Sequence, residues 1–509
     1  MPHAPYLSLA PDADKAKDLG QVFTPEWIVE LILDKVGYAG KRALEASILE
    51  PSAGDGAFLA AIAERYIKAA KRAGWSGRKT AAGLARDITG IEIDGELCAR
   101  CRERLDAVAA RHGLPKVAWD LRNEDALLAK GMRRRYDLVV GNPPYIRIHN
   151  LAKNVVRYLK ANYEFCSKGM IDIHLAFFEL GLGLLKEDGA LCYIAPNMFL
   201  RNSSNKDFRN HLVRHNLLDD LINFGSHMVF QGISTYSCIA TLRKGKADGA
   251  FAYHVYDGQR VVHANDIQLA DYLDRRFVFA SRREAAFVRK RQSGKQLQSI
   301  ASVQYGLATL RDRIYVCHDA RPVPGKSDLV DFHGHPVEKA LLRDVVKGSR
   351  LFESPKKVRK GKMLFPYRQE DGRWRAIPED ELRRAYPKAY QYLLLNREEL
   401  ELRDMDRGAQ WYEYGRSQGL QSIHRPKLAV SSLVNGRVLF TKLDSKTLVY
   451  SGIFITGSPQ NLRQIAEVLS GRDFLQYSQI VGKDMRGGYK TISSGIIKQY
   501  GLANEKRAA

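Results

Sequence analysis

Up to about residue 245, short β-branched runs alternate with longer amphipathic stretches, the pattern of a parallel sheet flanked by helices. The runs Ile48 to Glu50, Ile88 to Ile93, Asp137 to Gly141, Ala190 to Ala195, Leu218 to Phe224 and Cys238 to Leu242 read as strands. After Leu242 comes a polar, glycine-containing stretch, RKGKADGA, and beyond it the alternation weakens into basic segments, short strands and aromatic clusters. These features predict an open α/β domain over residues 1–245 and a second, α+β domain over 246–509. No internal repeat is visible, and Ala503 to Ala509 read as a frayed end.

Composition narrows the class of partner. The 509 residues, 45% of them hydrophobic, can bury a sizeable core. The 80 Lys and Arg against 57 Asp and Glu leave a net charge of +23, for which polyanions are the natural partners. The start, MPHAPYLSLAPDADKAKDLG, has no basic segment followed by an apolar stretch, and no run reaches membrane-span length; a cytoplasmic protein without membrane contact is expected. Six scattered cysteines do not form a disulfide framework. Cys98 and Cys101 sit in ELCARCRERL, which reads as helix with no second pair at zinc-finger spacing. His211 and His215 are spaced i, i+4 without the glutamate of HExxH, so no metal is expected there.

Four segments carry candidate chemistry. In ILEPSAGDGAFL a strand ends in Glu50 and turns through Gly54 and Gly56 into a helix, letting a nucleotide-type cofactor approach the backbone. Leu59 stands where a dinucleotide loop has its third glycine, which argues against NAD. The next strand, ITGIEID, ends in Glu92, a carboxylate placed to accept both hydroxyls of a ribose, and Asp94 reads as the cap of the following helix. In RNEDALL, Asp125 can accept a hydrogen bond from an adenine amino group.

The most specific segment is DLVVGNPPYIR, an apolar strand followed by Asn142, Pro143, Pro144 and Tyr145. Two prolines stiffen the backbone. Such a loop can aim the Asn142 side-chain oxygen and the Pro143 carbonyl at one amino group while Tyr145 offers a flat face for stacking.

At this point the sequence resembles the gamma-type, TaqI-like DNA adenine methyltransferases. GQVFTPEWIVELIL, LEPSAGDGAF, GIEID, NEDAL and GNPPY occur in the family's motif order, across most of the first half. The resemblance implies a Rossmann-like S-adenosylmethionine-dependent methyltransferase domain with a mixed seven-stranded sheet, followed by a DNA target-recognition domain. It implies that Thr24 and the loop Glu50 to Gly56, with Ala53, Gly54 and Gly56, hold the methionine part of the cofactor. Glu92 with Ile93 would hold the ribose, and Asp125 the adenine. Asn142, Pro143, Pro144 and Tyr145 would form the catalytic loop. Phe230, in HMVFQGISTYSCIATLRK, would stack the opposite face of a flipped base, the alternative being a core phenylalanine. In the second half, WYEYGRSQGL, RPKLAVSSL and MRGGYKT look like target-recognition segments, with Trp411 and Arg416 as candidate DNA contacts. Read on their own, Trp411, Tyr412, Tyr414 and Arg416 either pack a core edge or touch DNA. The run Lys356, Lys357, Arg359, Lys360 and Lys362 reads as a solvated face or a phosphate contact.

The expected function is therefore methyl transfer to the 6-amino group of adenine in double-stranded DNA, within a restriction-modification system. The resemblance implies that any cognate restriction endonuclease is on a separate chain, and the 19 residues before Gly20 are expected to be too few for a fused nuclease domain. The competing readings are protein glutamine methylation and RNA methylation, which share the NPPY chemistry; methylation of the cytosine 4-amino group more often has Ser as the first loop residue.

Overall fold

The computed structural model describes residues 24–131, 135–146, 151–168, 172–230, 235–352 and 360–502. The chain divides into two compact units, Met1–Arg282 and Arg283–Ala509.

The first unit is built on one mixed sheet. Its strands are β1 (Ile48–Glu50), β2 (Ile88–Glu92), β3 (Asp120–Asn123), β4 (Tyr136–Gly141), β5 (Leu185–Pro196), β6 (Leu218–Asn223), β7 (Ser237–Arg243), β8 (Ala250–Tyr256) and β9 (Val261–Gln268). They lie in the order β3-β2-β1-β4-β5-β7-β6-β8-β9. Strands β1 to β5 are mutually parallel, and β7 runs antiparallel to both of its neighbours. The seven strands expected are thus present, and two more extend the sheet.

That extension moves the end of the unit from residue 245 to Arg282. The polar stretch after Leu242 is only a turn, because β8 returns to pair in parallel with β6, from Asp220 opposite Ala252 to Asn223 opposite Val255, and β9 closes on β8. Both added strands are half-exposed along much of their length, so they lack the continuous apolar run that marks the inner strands.

Helices α1 (Glu26–Lys35), α2 (Ala57–Arg72), α3 (Gly95–Arg111) and α4 (His174–Leu184) cover the two faces. On one face Ile28, Ile32, Phe58, Ile62 and Leu105 meet Ile48, Leu138 and Val140. On the other, Phe177, Phe178 and Leu180 meet Leu49, Val139 and Leu191. Alternate residues of β1 and β4 enter opposite cores, as the period of a strand requires. Asp94 caps α3, its carboxylate accepting from the backbone of Glu96 and Leu97 at 2.9 and 3.2 Å. All six cysteines are free and buried, and Cys98 and Cys101 lie within α3 as expected.

The second unit is α+β. Its largest sheet contains β10 (Ser302–Tyr305), β11 (Lys427–Val434), β12 (Val438–Leu443), β13 (Ile453–Thr456), β14 (Lys483–Met485) and β15 (Tyr489–Thr491), in the order β10-β13-β11-β15-β14 with β12 on β11. The helices Pro459–Ser470 and Arg472–Val481 supply Ile465, Leu469, Phe474 and Tyr477 to the core that holds Val303, Leu428 and Val430. Among the described residues no helix is long and apolar enough to cross a membrane.

Candidate active site

Four neighbouring parallel strands deliver the candidate residues to one edge of the sheet. Chain order reverses between β1 and β4, and the crevice beyond the carboxyl ends of strands at such a point is where open α/β sheets bind ligands. Glu50 ends β1, Glu92 ends β2, Asp125 follows β3 and Asn142 follows β4.

Glu50 is 2% exposed, and its Oε2 makes no hydrogen bond among the described residues. Burial, then the charges of Glu92 and Asp55, pushes its carboxyl well above the usual range. An unpaired buried carboxylate costs several kcal/mol, so this position calls for a donor or a cation. Glu92 is better satisfied: Gly54 donates its backbone N–H to Oε2 at 2.7 Å, and Asp94 donates to Oε1 at 2.9 Å. Burial nevertheless raises its carboxyl above the ordinary value.

The tips of β2 and β3 are tied together. The Glu92 carbonyl accepts from the backbone of Glu124 at 3.1 Å and from Asn123 Nδ2 at 2.9 Å, and Asn123 also donates to the Ile93 carbonyl at 3.0 Å. Asp125 is half-buried and accepts from the backbone of Leu127 at 2.9 Å. Burial pushes its carboxyl up to about 6.

The glycine turn has a steric cause. Gly54 and Gly56 have φ of +57° and +86°, in the left-handed region that a side chain disfavours. A Cβ on Gly56 would lie 2.6 Å from Cys101 Sγ, so this residue lets α2 start directly against α3. Ala53, buried, donates to the Ile91 carbonyl at 2.9 Å and fastens the turn to β2. Asp55 pairs with Arg104 at 3.0 Å.

Asn142 to Ile146 follow β4 without regular structure. Asn142 donates through Nδ2 to Thr24 Oγ1 at 3.1 Å, and Ser52 Oγ donates to the Asn142 carbonyl at 3.3 Å. A Cβ on Gly141 would lie 3.5 Å from Glu50 Cγ, so the asparagine begins beside the buried carboxylate. Pro143 is buried and Pro144 half-buried. Tyr145 donates its hydroxyl to the Ile194 carbonyl at 3.3 Å, at the end of β5. Its ring meets Phe230 edge to face, centroids 6.1 Å apart at 68°. Phe230 is 4% exposed and also packs in the core of that face.

The structure therefore brings Thr24, Glu50, Glu92, Asp125, Asn142, Tyr145 and Phe230 to one edge. Sequence reasoning missed the contacts of Ser52, Gly141 and the Ile194 carbonyl. Ser52 lies inside a recognised motif, but a backbone carbonyl leaves no mark in sequence.

Trp411 and Arg416 belong to the second unit and have internal partners. Trp411 donates through Nε1 to Glu379 at 3.1 Å under the guanidinium of Arg397. Tyr412 and Tyr414 are buried and donate to the carbonyls of Ile377 and Leu364, each at 2.7 Å. Arg416 pairs with Asp404 at 2.7 Å and lies 3.8 Å from Asp406. Lys362 pairs with Asp344 at 2.8 Å. Gly20 to Phe23, Arg147, Gln231 to Ser234, Lys356, Lys357, Arg359 and Ala503 to Ala509 lie outside the described residues. Among the described residues there is no group of three or more His, Cys, Asp or Glu that could hold a metal ion.

Residues 86–230, which hold Glu92, Asp125, Asn142 and Phe230, match the family model of the Eco57I restriction-modification methylase. The chain is similar to this family over those 145 of its 509 residues. It is 28% identical over 395 residues to the type II restriction enzyme and methyltransferase RM.Eco57I of Escherichia coli, covering 70% of this chain and 39% of that protein. It is 28% identical over 248 residues to the type II methyltransferase M.BstVI of Geobacillus stearothermophilus, covering 47% and 44%. The chain thus spans less than half the length of these relatives. The fold is similar to that of the type IIL restriction-modification enzyme MmeI, solved in complex with DNA, with a TM-score of 0.62 and 14% identity over 97% of this chain and 70% of that one.

Proposed function

We propose that this protein transfers a methyl group from S-adenosylmethionine to the 6-amino group of adenine in double-stranded DNA, as the modification activity of a restriction-modification system. The observation that carries the reading is Asn142, oriented by Thr24 at 3.1 Å and followed three residues later by the Tyr145–Phe230 ring pair. The first unit is assigned to methyl transfer and the second to target recognition.

The residues at the strand tips fit the cofactor. Glu50, buried with an oxygen that makes no hydrogen bond among the described residues, suits a cationic donor such as the amino group of the methionine part. Glu92 and Asp125 are acceptors for ribose hydroxyls and for the adenine amino group. When bound, S-adenosylmethionine supplies an electrophilic methyl group on a sulfonium.

The chain's own work is on the nucleophile. The amino nitrogen of adenine is poor in electron density because its lone pair is delocalised into the ring. Asn142 Oδ1 and the Pro143 carbonyl accept its two N–H groups, which favours a pyramidal nitrogen with the lone pair directed away from the loop. Methyl transfer leaves the amino nitrogen cationic and strongly acidic, and its surplus proton passes to solvent, so Asn142 and the Pro143 carbonyl act as acceptors and not as bases. Tyr145 and Phe230 hold the extruded base, whose unstacking and unpairing cost a few kcal/mol; each aromatic contact returns about 1–3 kcal/mol. The relatives include a type II restriction enzyme and methyltransferase, and the structure of similar fold was solved with DNA.

The test is to incubate the purified chain with duplex DNA and S-adenosylmethionine, digest to nucleosides and identify the product by mass. N6-methyladenosine is expected. N4-methylcytosine would move the target to cytosine, and methyl transfer only to RNA or to glutamine would replace the reading.

A further inference from the structure

The second unit carries a pair of hairpins built from RPKLAVSSL and MRGGYKT, the segments that look like target-recognition motifs. Strand β11 pairs through Lys427 to Val430 with β13 and β12. Its ladder then breaks in a bulge between Val430 and Val434, where Ser431 Oγ accepts the backbone N–H of Leu433 at 3.1 Å. Beyond the bulge β11 gains a new neighbour, with Leu433 opposite Thr491 and Val434 opposite Lys490 of β15. Ile492 donates to the Ser432 carbonyl at 2.8 Å and locks this register. A bulge re-aims the end of a strand, and here it lays two hairpin tips side by side at one end of the sheet.

One tip is Asn435-Gly436-Arg437, closed by Val434 opposite Val438. The other lies between Met485 and Tyr489, which are themselves paired. Gly436, Gly487 and Gly488 have φ of +65°, +77° and +76°. A Cβ added at Gly436 or Gly488 would meet nothing within 4 Å, so both tips stand clear of the unit. Asn435 and Arg437 are exposed, and Met485 is 36% exposed. Arg437 makes no ion pair among the described residues. The carboxylate at the base of the second tip, Asp484, is neutralised by Lys490. Trp411 and Arg416, by contrast, are committed to Glu379, Asp404 and Asp406.

Adjacent strands are about 4.8 Å apart, and a two-stranded ribbon fits the roughly 12 Å major groove of B-form DNA. Arginine pairs bidentately with guanine O6 and N7, asparagine with adenine N6 and N7, and an apolar side chain meets the thymine methyl. We infer that the twin hairpin tips are the base-reading element of the second unit, with Arg437 selecting a G·C pair and Asn435 an A·T pair through their major-groove edges. This rests on the proposed action on DNA.

The test maps methylated sites in DNA from cells expressing the parent, Arg437→Gln, Arg437→Lys or Asn435→Ala. Thermal unfolding and S-adenosylmethionine binding are measured on each protein as controls. The parent should methylate one short motif. Arg437→Gln and Arg437→Lys should both relax it at one G·C position, by about 10- to 100-fold, because lysine keeps the charge but not the fork. Asn435→Ala should relax a different, A·T position, and all variants should unfold and bind S-adenosylmethionine like the parent. An unchanged motif in all three variants overturns the inference while leaving the methylation reading intact. So does a uniform weakening at every site that Arg437→Lys restores, since that marks a phosphate contact. A parent that modifies no DNA overturns the methylation reading itself, and this inference with it.

Discussion

Asn142 donates its side-chain N–H to the hydroxyl of Thr24, 3.1 Å away and 118 residues earlier in the chain. The bond sets which edge of the amide carries the donor, and gives the oxygen edge to the acceptor role that the proposed mechanism needs. Thr24, expected from the sequence to touch the cofactor, is thereby also a positioning residue. Thr24→Val should lower kcat by about 10- to 100-fold, the usual cost of misplacing a reacting group, with KM for S-adenosylmethionine changed by less than about twofold. Thr24→Ser should retain most of the parent's kcat. A variant altered in KM alone would return Thr24 to a purely cofactor-binding role.

The ring pair gives a second expectation. Tyr145 and Phe230 meet edge to face at 6.1 Å, and in the proposed mechanism the tyrosine face receives the extruded base. Tyr145→Ala should reduce methylation of a paired adenine by about 10- to 100-fold, the kinetic equivalent of about 1–3 kcal/mol of stacking. The loss should shrink when the target adenine sits in a mismatch, because a mismatch already bears part of the extrusion cost. Equal losses on paired and mismatched targets would assign Tyr145 to chemistry rather than to base stabilisation.

Particular residues show how far the sequence carries. Strands β1, β2, β4 and β7 were legible to within about a residue or two, because strands buried on both faces are near-continuous apolar runs. Strand β5 proved longer than Ala190 to Ala195, since its first half, LKEDG, is polar. Strands β8 and β9 were missed because alternation on a half-exposed sheet edge resembles loop composition, and their omission misplaced the end of the first unit. The placement of Glu50, Glu92, Asp125 and Asn142 at strand tips was legible because each stands beside turn-forming residues. The aromatic cluster of Tyr412 and Tyr414 was not, because only tertiary packing decides whether a tyrosine faces a core or a ligand.

Asp125 should give the site a pH dependence. Its carboxyl is raised from the ordinary value of 3.8 to about 6 by burial. The protonated form cannot accept on the protonated oxygen, so affinity for S-adenosylmethionine should fall as pH drops through about 6. The effect on stability has the opposite sense. A raised carboxyl pKa means that the ionised form destabilises the fold above about 6, and that this penalty vanishes below the unfolded value. Asp125→Asn, which keeps an acceptor for Leu127, should therefore raise Tm at pH 7.5 and leave it nearly unchanged at pH 4. It should also flatten the pH profile of cofactor affinity between pH 5 and 7. A profile that persists in the variant would place the titrating group elsewhere.

The glycine turn is held open by a thiol. A Cβ at Gly56 would lie 2.6 Å from Cys101 Sγ and 3.2 Å from Cys101 Cα, on a backbone with φ of +86°. Gly56→Ala should destabilise the first unit by about 1–3 kcal/mol, the range for overpacking a core, and weaken cofactor binding with it. Cys101→Ala combined with Gly56→Ala should recover only part of the loss, because it removes the Sγ contact but neither the backbone contact nor the strain. Full recovery, read by thermal unfolding, would show that the positive φ carries no cost here.

Binding to DNA should be salt-dependent in a chain with a net charge of +23. Log affinity for duplex DNA should fall linearly with log salt, with a slope proportional to the number of phosphates neutralised. A flat response in a fluorescence titration would argue against phosphate contacts altogether.

The most direct test of the central claim is sequencing-based mapping of modified bases in DNA from cells expressing this chain, beside cells expressing Asn142→Ala. The account predicts N6-methyladenine in one short motif with the parent, and its disappearance in the variant. Unmodified DNA with the parent, or the same adenine methylation persisting in Asn142→Ala within about tenfold of the parent rate, would contradict it.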